Sequence, residues 1–214
     1  MRTGAFFDVD DTLIAVPSVF RFLAHRLRDR PGSEYAAAYE RVRAARVGGR
    51  GAALVEYYRN FAGADVAEVA EQGRRWFAEE LAAGPFHEPV LARFRAHRAA
   101  GELTVLVSGS FPACLDPIAE HVGADLLVCT LPEVRDGRYT GAVATPMIGA
   151  AKAAAVLGIA DRLGVDLAGS SAYGDHASDL PVLDLVGHPV VVGDDPDLVG
   201  HATRQGWPVL ERAR

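Results

Sequence analysis

The spacing of apolar residues changes once along this chain, and that change constrains the fold more than any other feature. A short apolar run, GAFFDV at residues 4–9, ends in acids and reads as a buried strand. Residues 18–100 then read as helices only. Ser18 is placed to cap a helix that stops before Pro31, and Ser33 to open another that stops at Gly48-Gly49. A third covers about 52–61, a fourth follows Asp65 to about Ala83, and a fifth spans 88–99, with Pro89 in its first turn and Gly101 just past its end.

From Leu103 onward, strands and helices alternate. LTVLV (103–107), DLLVC (125–129), SSAYG (170–174) and PVVVG (189–193) read as strands, and WPVL (207–210) as a last edge strand. Helices are expected after Pro112, at about 148–158, from Ser178 and from Asp195-Pro196. EVRDGRYTGAV (133–143) alternates around Asp136-Gly137, a strong hairpin signal. Alternation of this kind predicts an α/β fold with a mostly parallel sheet covered on both faces, interrupted after its first strand by an all-helical insert.

Composition removes several classes. Half of the 214 residues are apolar and 23% are charged, which excludes a disordered chain. No apolar run approaches the ~18–20 residues of a membrane span, and acids at positions 8, 10 and 11 come too early for a secretory leader. Cys114 and Cys129 are the only cysteines, too few for a disulfide scaffold or a cysteine-built zinc site, and they favour a reducing cytoplasm. A net charge of −6 argues against sequence-independent nucleic-acid binding. The charge is uneven: residues 15–100 carry a net +4, residues 101–214 a net −8.

Ligands of open α/β sheets bind beyond the carboxyl ends of the strands. There the sequence places Asp8-Val9-Asp10-Asp11-Thr12, Ser108-Gly109-Ser110, and Asp175 with Asp179 four residues on; Lys152 lies in the helix after the hairpin. Two carboxylates ~4 Å apart repel by about 4 kcal/mol at an effective dielectric of ~20, so four acids on one rim call for a cation. Oxygen ligands without His or Cys suit a hard ion, Mg2+. A carboxylate can attack phosphorus, and a second acid can protonate the leaving alcohol. Ser108 and the backbone N–H groups of Gly109 and Ser110 form a small anion cradle. Lys152 is the sole lysine among 22 basic residues, which marks a position where a compact ammonium works and a planar guanidinium does not. A calcium loop starting at Asp8 fails, with Leu13 at its sixth position and Val19 at its twelfth. No GxSxG, GxGxxG or GxxxxGK[ST] string occurs.

DVDDT (8–12), Ser108, Lys152 and GDHASD (174–179) resemble, in order, the four motifs of the haloacid dehalogenase superfamily. The helical insert, LVSGSFPACLDPIAEHVGAD and EVRDGRYTG are similar to its phosphoserine-phosphatase-like branch. The resemblance implies a Rossmann-like catalytic core (1–14 and 88–214) and a mobile helical cap (15–87) that sets specificity. It implies a Mg2+-dependent phosphatase acting on a small phosphorylated metabolite through an aspartyl-phosphate. Asp8 would be the nucleophile and a metal ligand. Asp10 would be the general acid/base, with its backbone carbonyl on the metal. Ser108, Gly109 and Lys152 would bind phosphate and Asp175 the metal, with Asp179 and Thr12 in support.

His176, Arg50 and Arg59 are candidate substrate contacts, and the cap aromatics Phe20, Phe22, Tyr57, Tyr58, Phe61, Trp76 and Phe77 are expected to be cap core, with one or two facing the substrate. The branch usually carries a Glu that reads the ammonium of phosphoserine; here Pro17 falls at that place, which argues against phosphoserine itself. A phosphotransferase using the same intermediate stays open. A phosphoaccepting receiver domain is disfavoured, because it is shorter, lacks the insert and carries its phosphorylated Asp on a later strand. The oligomeric state is not legible.

Overall fold

The computed structural model describes residues 2–212. The strands are β1 (Gly4–Phe7), β2 (Leu103–Ser108), β3 (Leu126–Cys129), β4 (Pro132–Arg135), β5 (Arg138–Val143), β6 (Ser171–Gly174), β7 (His188–Val192) and β8 (Val209–Leu210). Six of them form one sheet in the order β3-β2-β1-β6-β7-β8, and every pairing in it is parallel. The chain builds the sheet outward from β1 in one direction, then returns to lay β6 on the other side of β1. The crevice at this reversal is where α/β sheets hold ligands.

The helices are α1 (Ser18–Arg26), α2 (Gly32–Ala45), α3 (Arg50–Tyr58), α4 (Val66–Ala83), α5 (Glu88–Ala99), α6 (Pro112–Val122), α7 (Ala150–Leu163), α8 (Leu180–Leu183) and α9 (Pro196–Gln205). Alternate residues of each strand point to opposite faces. Ala5, Phe7 and Leu106 join one core with α5, α6 and the insert; Phe6, Val105, Val107 and Ala172 join another with α7, α8 and α9. On the first face Phe7 stacks on Tyr173 at 4.3 Å and meets Phe94 of α5 at 5.1 Å.

The insert shares the first core instead of packing by itself. Phe111, just before α6, holds Tyr58 and Phe61 of the insert at 5.4 and 5.0 Å between ring centroids. Glycine at position 73 lets α4 lie directly on α6; a Cβ there would come within 1.7 Å of the Ala113 carbonyl oxygen. The β4–β5 hairpin pairs with no strand of the main sheet. It docks on the insert, where Gly63 and Val66 donate to the carbonyls of Tyr139 and Gly137. Its turn has positive φ at both Asp136 (51°) and Gly137 (73°), as a tight hairpin twisting with its strands requires.

Some expected details differ. Ser18 begins α1 but does not cap it; its backbone N–H is taken by Asp10 Oδ1 at 2.8 Å, and its hydroxyl goes to Ser110. α2 starts at Gly32 with Pro31, not Ser33, at the cap, because a proline's fixed φ presets the entry. The helix expected from Ser178 is a 3-10 turn, Ala177–Asp179, leading into the four-residue α8.

Gly73→Ala is expected to lower stability by at least ~2 kcal/mol, since backbone cannot move aside as a side chain would. Gly158→Ala is the control: α7 has nothing within 4 Å of that position, and the change should stabilise by about 0.5–1 kcal/mol. Thermal melts of the two variants check this, with the pair moving in opposite directions.

Candidate active site

The site begins where β1 stops. Asp8 N–H still bonds to the Tyr173 carbonyl of β6 at 2.9 Å. The chain then folds back, and the N–H groups of Thr12, Leu13 and Ile14 all return to the Val9 carbonyl. That tight turn places Asp11 at φ 58°, a left-handed conformation that Asp tolerates better than most residues. Gly174 ends β6, and a Cβ there would lie 2.6 Å from Asp179 Cβ, so glycine is what admits Asp179.

The structure brings Asp8, Lys152, Asp175 and Asp179 together from three separate segments: the end of β1, α7, and the stretch that follows β6. Lys152 Nζ donates to Asp8 Oδ1 at 2.6 Å and to Asp179 Oδ1 at 2.7 Å. Thr12 Oγ1 donates to Asp175 Oδ1 at 3.2 Å and lies 3.5 Å from Asp8 Oδ2. Asp8, Asp175 and Asp179 each offer a carboxylate oxygen within 4.8 Å of the others. Asp10 stands apart from this trio, on the N-terminus of α1.

The Ser108–Ser110 loop completes the floor. Ser110 N–H donates to Ser108 Oγ at 3.1 Å, and Ser18 Oγ donates to Ser110 Oγ at 2.9 Å. The Gly109 carbonyl is held by two hydroxyls, Tyr58 at 3.0 Å and Thr130 at 2.8 Å. A side chain at Gly109 would press on Ile148 and Leu54 at 3.1–3.2 Å, so glycine lets the insert come down over the loop.

Above this floor is a cleft of about 300 Å³. Asp8, Asp10, Ser108, Gly109, Lys152 and Asp179 line its core side; Phe20, Val42, Arg46, Arg50, Leu54 and Tyr57 line its insert side. Of the expected cap aromatics, Phe20 and Tyr57 face the cleft while Phe22, Tyr58, Phe61 and Trp76 are core. Arg50 is in the cleft wall. Arg59 is not: it pairs with Glu56 at 2.7 Å and its side chain is 67% exposed. His176 also lies outside the lining; its Nδ1 accepts from Ser178 N–H at 3.0 Å, capping the 3-10 turn, because an extended residue before a helical turn must satisfy that donor.

Three features escaped the sequence. Arg212 donates to Asp175 Oδ2 at 2.9 Å across 37 residues, and no motif marks it. Arg46 joins Arg50 in the wall; the Gly48-Gly49 stop between them was visible, but the direction of the two side chains was not. The Ser18–Ser110 pair depends on a contact between α1 and the loop after β2.

Electrostatics follow from burial. Burial raises the Asp8 carboxyl, and the charge of Lys152 opposes it. Burial would also strip Lys152 of its proton, but the charges of Asp179 and Asp8 hold it above the ordinary lysine value. Asp10 is pushed up to about 7, chiefly by burial, against hydrogen bonds from Ser18. Asp175 is pushed up to about 8 by burial and by the charges of Asp8, Asp179 and Asp11, with Arg212 opposing. Such an array can accept a cation among its carboxylates and hold one acid protonated near neutral pH.

The family model for haloacid dehalogenase-like hydrolases matches residues 5–184. A protein of Mycobacterium tuberculosis named a probable phosphatase is 34% identical over 220 residues, covering 100% of this chain and 76% of its own length. Another from that organism, named a phosphoserine phosphatase, is 31% identical over 226 residues, covering 99% of this chain and 71% of its own. A crystal structure from Bordetella pertussis, described as of unknown function, superposes with a TM-score of 0.86 at 29% identity over 98% of both chains.

The folded-state values of Asp10 and Asp175 lie above the unfolded value of about 3.9. Between those limits the folded chain binds more protons than the unfolded one, so stability falls as pH rises. In the presence of a chelator, the melting temperature should be lower at pH 8 than at pH 5, as calorimetry can measure; an increase over that range would contradict the assignment.

Proposed function

The chain belongs to the haloacid dehalogenase-like hydrolases, and from that premise we propose that it hydrolyses a small-molecule phosphomonoester through an aspartyl-phosphate on Asp8. One observation carries this reading: Asp8, at the end of β1, shares the cation of Lys152 with Asp179 at the floor of a cleft that Ser108 and Gly109 also line. The relatives named as phosphatases support it.

In the first half of the reaction an Asp8 carboxylate oxygen attacks phosphorus, the bond from phosphorus to the ester oxygen breaks, and Asp10 gives its proton to the departing alcohol. In the second, Asp10 takes a proton from water as its oxygen attacks phosphorus, and the bond to Asp8 breaks, returning both carboxyls to their starting states. A folded-state value of about 7 suits Asp10 to both halves at neutral pH. Lys152 and the Ser108 hydroxyl, with the Gly109 N–H, would meet the charge that builds on the phosphoryl oxygens.

Asp8, Asp175 and Asp179 fit a hard divalent cation: all donors are oxygens and they already converge. Asp8 and Asp175 would hold Mg2+ with the Asp10 carbonyl, and Asp179 would support it. When bound, Mg2+ would neutralise charge on the phosphoryl oxygens.

Residues 15–87 would act as the cap over a core of 1–14 and 88–214. The free, buried Cys114 and Cys129 fit a reducing compartment, and no described helix is long and apolar enough to cross a membrane.

The test is steady-state hydrolysis of p-nitrophenyl phosphate with Mg2+, and its loss on chelation. Asp8→Asn should lower kcat by more than ~10³-fold with the circular dichroism unchanged, and near-normal turnover would remove Asp8 from its role. Lys152→Ala should lower it by ~10²–10³-fold, the cost of removing one charge from a developing oxyanion.

A further inference from the structure

Eleven arginines lie between residues 15 and 87. Nine of them reach a carboxylate or amide oxygen: Arg21 holds Glu80, Arg26 holds Gln72, and the others pair with Glu or Asp on the surface. Arg46 and Arg50 alone among these have no such partner within the described residues, and both line the cleft above Asp8. They flank the Gly48-Gly49 turn, where Gly49 sits at φ 94° immediately before α3.

The rest of the insert side is uncharged. Every carboxylate lining the cleft comes from the core, and Pro17 lines it where the resemblance would place an ammonium-reading acid. Tyr57, in the same wall, is 1% exposed, and its hydroxyl has no hydrogen-bond partner among the described residues. A buried hydroxyl left alone is costly and is normally satisfied. The cleft therefore carries Asp8, Lys152 and Asp179 on its core side and, on its insert side, two guanidinium groups without a carboxylate partner among the described residues, set in an otherwise apolar wall.

We propose that Arg46, Arg50 and Tyr57 form a subsite for a second oxyanion on the alcohol half of the substrate. The substrate is then a phosphate ester of a small organic anion, carrying a carboxylate or second phosphate and no ammonium. Guanidinium groups bind both oxyanions through paired N–H donors, and nothing on the insert side would compensate an ammonium. This rests on the phosphatase reading above and specifies its substrate.

Hydrolysis of six esters with Mg2+ tests it: 2-phosphoglycolate and 3-phosphoglycerate for a carboxylate, fructose 1,6-bisphosphate for a second phosphate, glycerol 3-phosphate as neutral, phosphoethanolamine as cationic and phosphoserine as zwitterionic. At least one of the first three should exceed the others in kcat/KM. Arg46→Gln and Arg50→Gln, both at exposed positions, should each lower the ratio of kcat/KM for that ester over glycerol 3-phosphate by about tenfold or more. Tyr57→Phe should raise KM for the same ester with no loss of melting temperature. Preference for the neutral, cationic or zwitterionic ester, or a ratio unmoved in both arginine variants, would overturn the subsite. An unmoved KM in Tyr57→Phe would remove Tyr57 from it. If p-nitrophenyl phosphate is turned over while the subsite fails, the phosphatase reading survives; if no ester is hydrolysed, both fall.

Discussion

Negative charge held out of water organises this molecule. Asp8, Asp175 and Asp179 converge within 4.8 Å, and Asp8 and Asp179 would repel each other strongly without the ammonium of Lys152 between them. Arg212 relieves Asp175 from the far side. The parallel sheet makes the convergence possible, because β1 and β6 are neighbours that end on the same rim. Gly174 makes room for the last carboxylate. A single lysine in an arginine-rich chain is intelligible here: an ammonium can donate to two carboxylates from one atom, where a planar guanidinium would need a wider slot.

The insert is coupled to this array at several points. Asp10 receives the N–H of Ser18 at the start of α1, so a carboxylate that lines the cleft also anchors the first helix of the insert. Tyr58 of α3 holds the Gly109 carbonyl within the Ser108–Ser110 loop. Phe111, next in sequence to that loop, packs against rings of the insert. A shift of the insert would therefore reach Asp10 and the Ser108–Ser110 loop.

Much of this was legible in the sequence because local rules and tertiary demands agree. The strand ends at Cys129 and Gly174, the Asp136-Gly137 turn and the Asp65 and Asp195 caps sit where spacing put them. The grouping of Asp8, Lys152, Asp175 and Asp179 was legible because each lies at a strand end or in the helix after the hairpin, and sheet topology does the rest. What was not legible depends on side chains meeting across elements. Ser18 looked like a helix cap, but Asp10 was already in place to take its N–H, freeing the hydroxyl for Ser110. Arg50 and Arg59 looked equivalent on paper; nine residues apart on a 100°-per-residue helix, they diverge, one into the cleft and the other onto Glu56.

The close seat of α4 on α6 has a bearing on how a ligand enters. With Gly73 against the Ala113 carbonyl and the hairpin stitched to residues 63–66, that flank of the insert behaves as a wall built into the core. On the α2–α3 flank, by contrast, the chain turns through Gly48 and Gly49, and Arg46 and Arg50 on either side of them line the cleft.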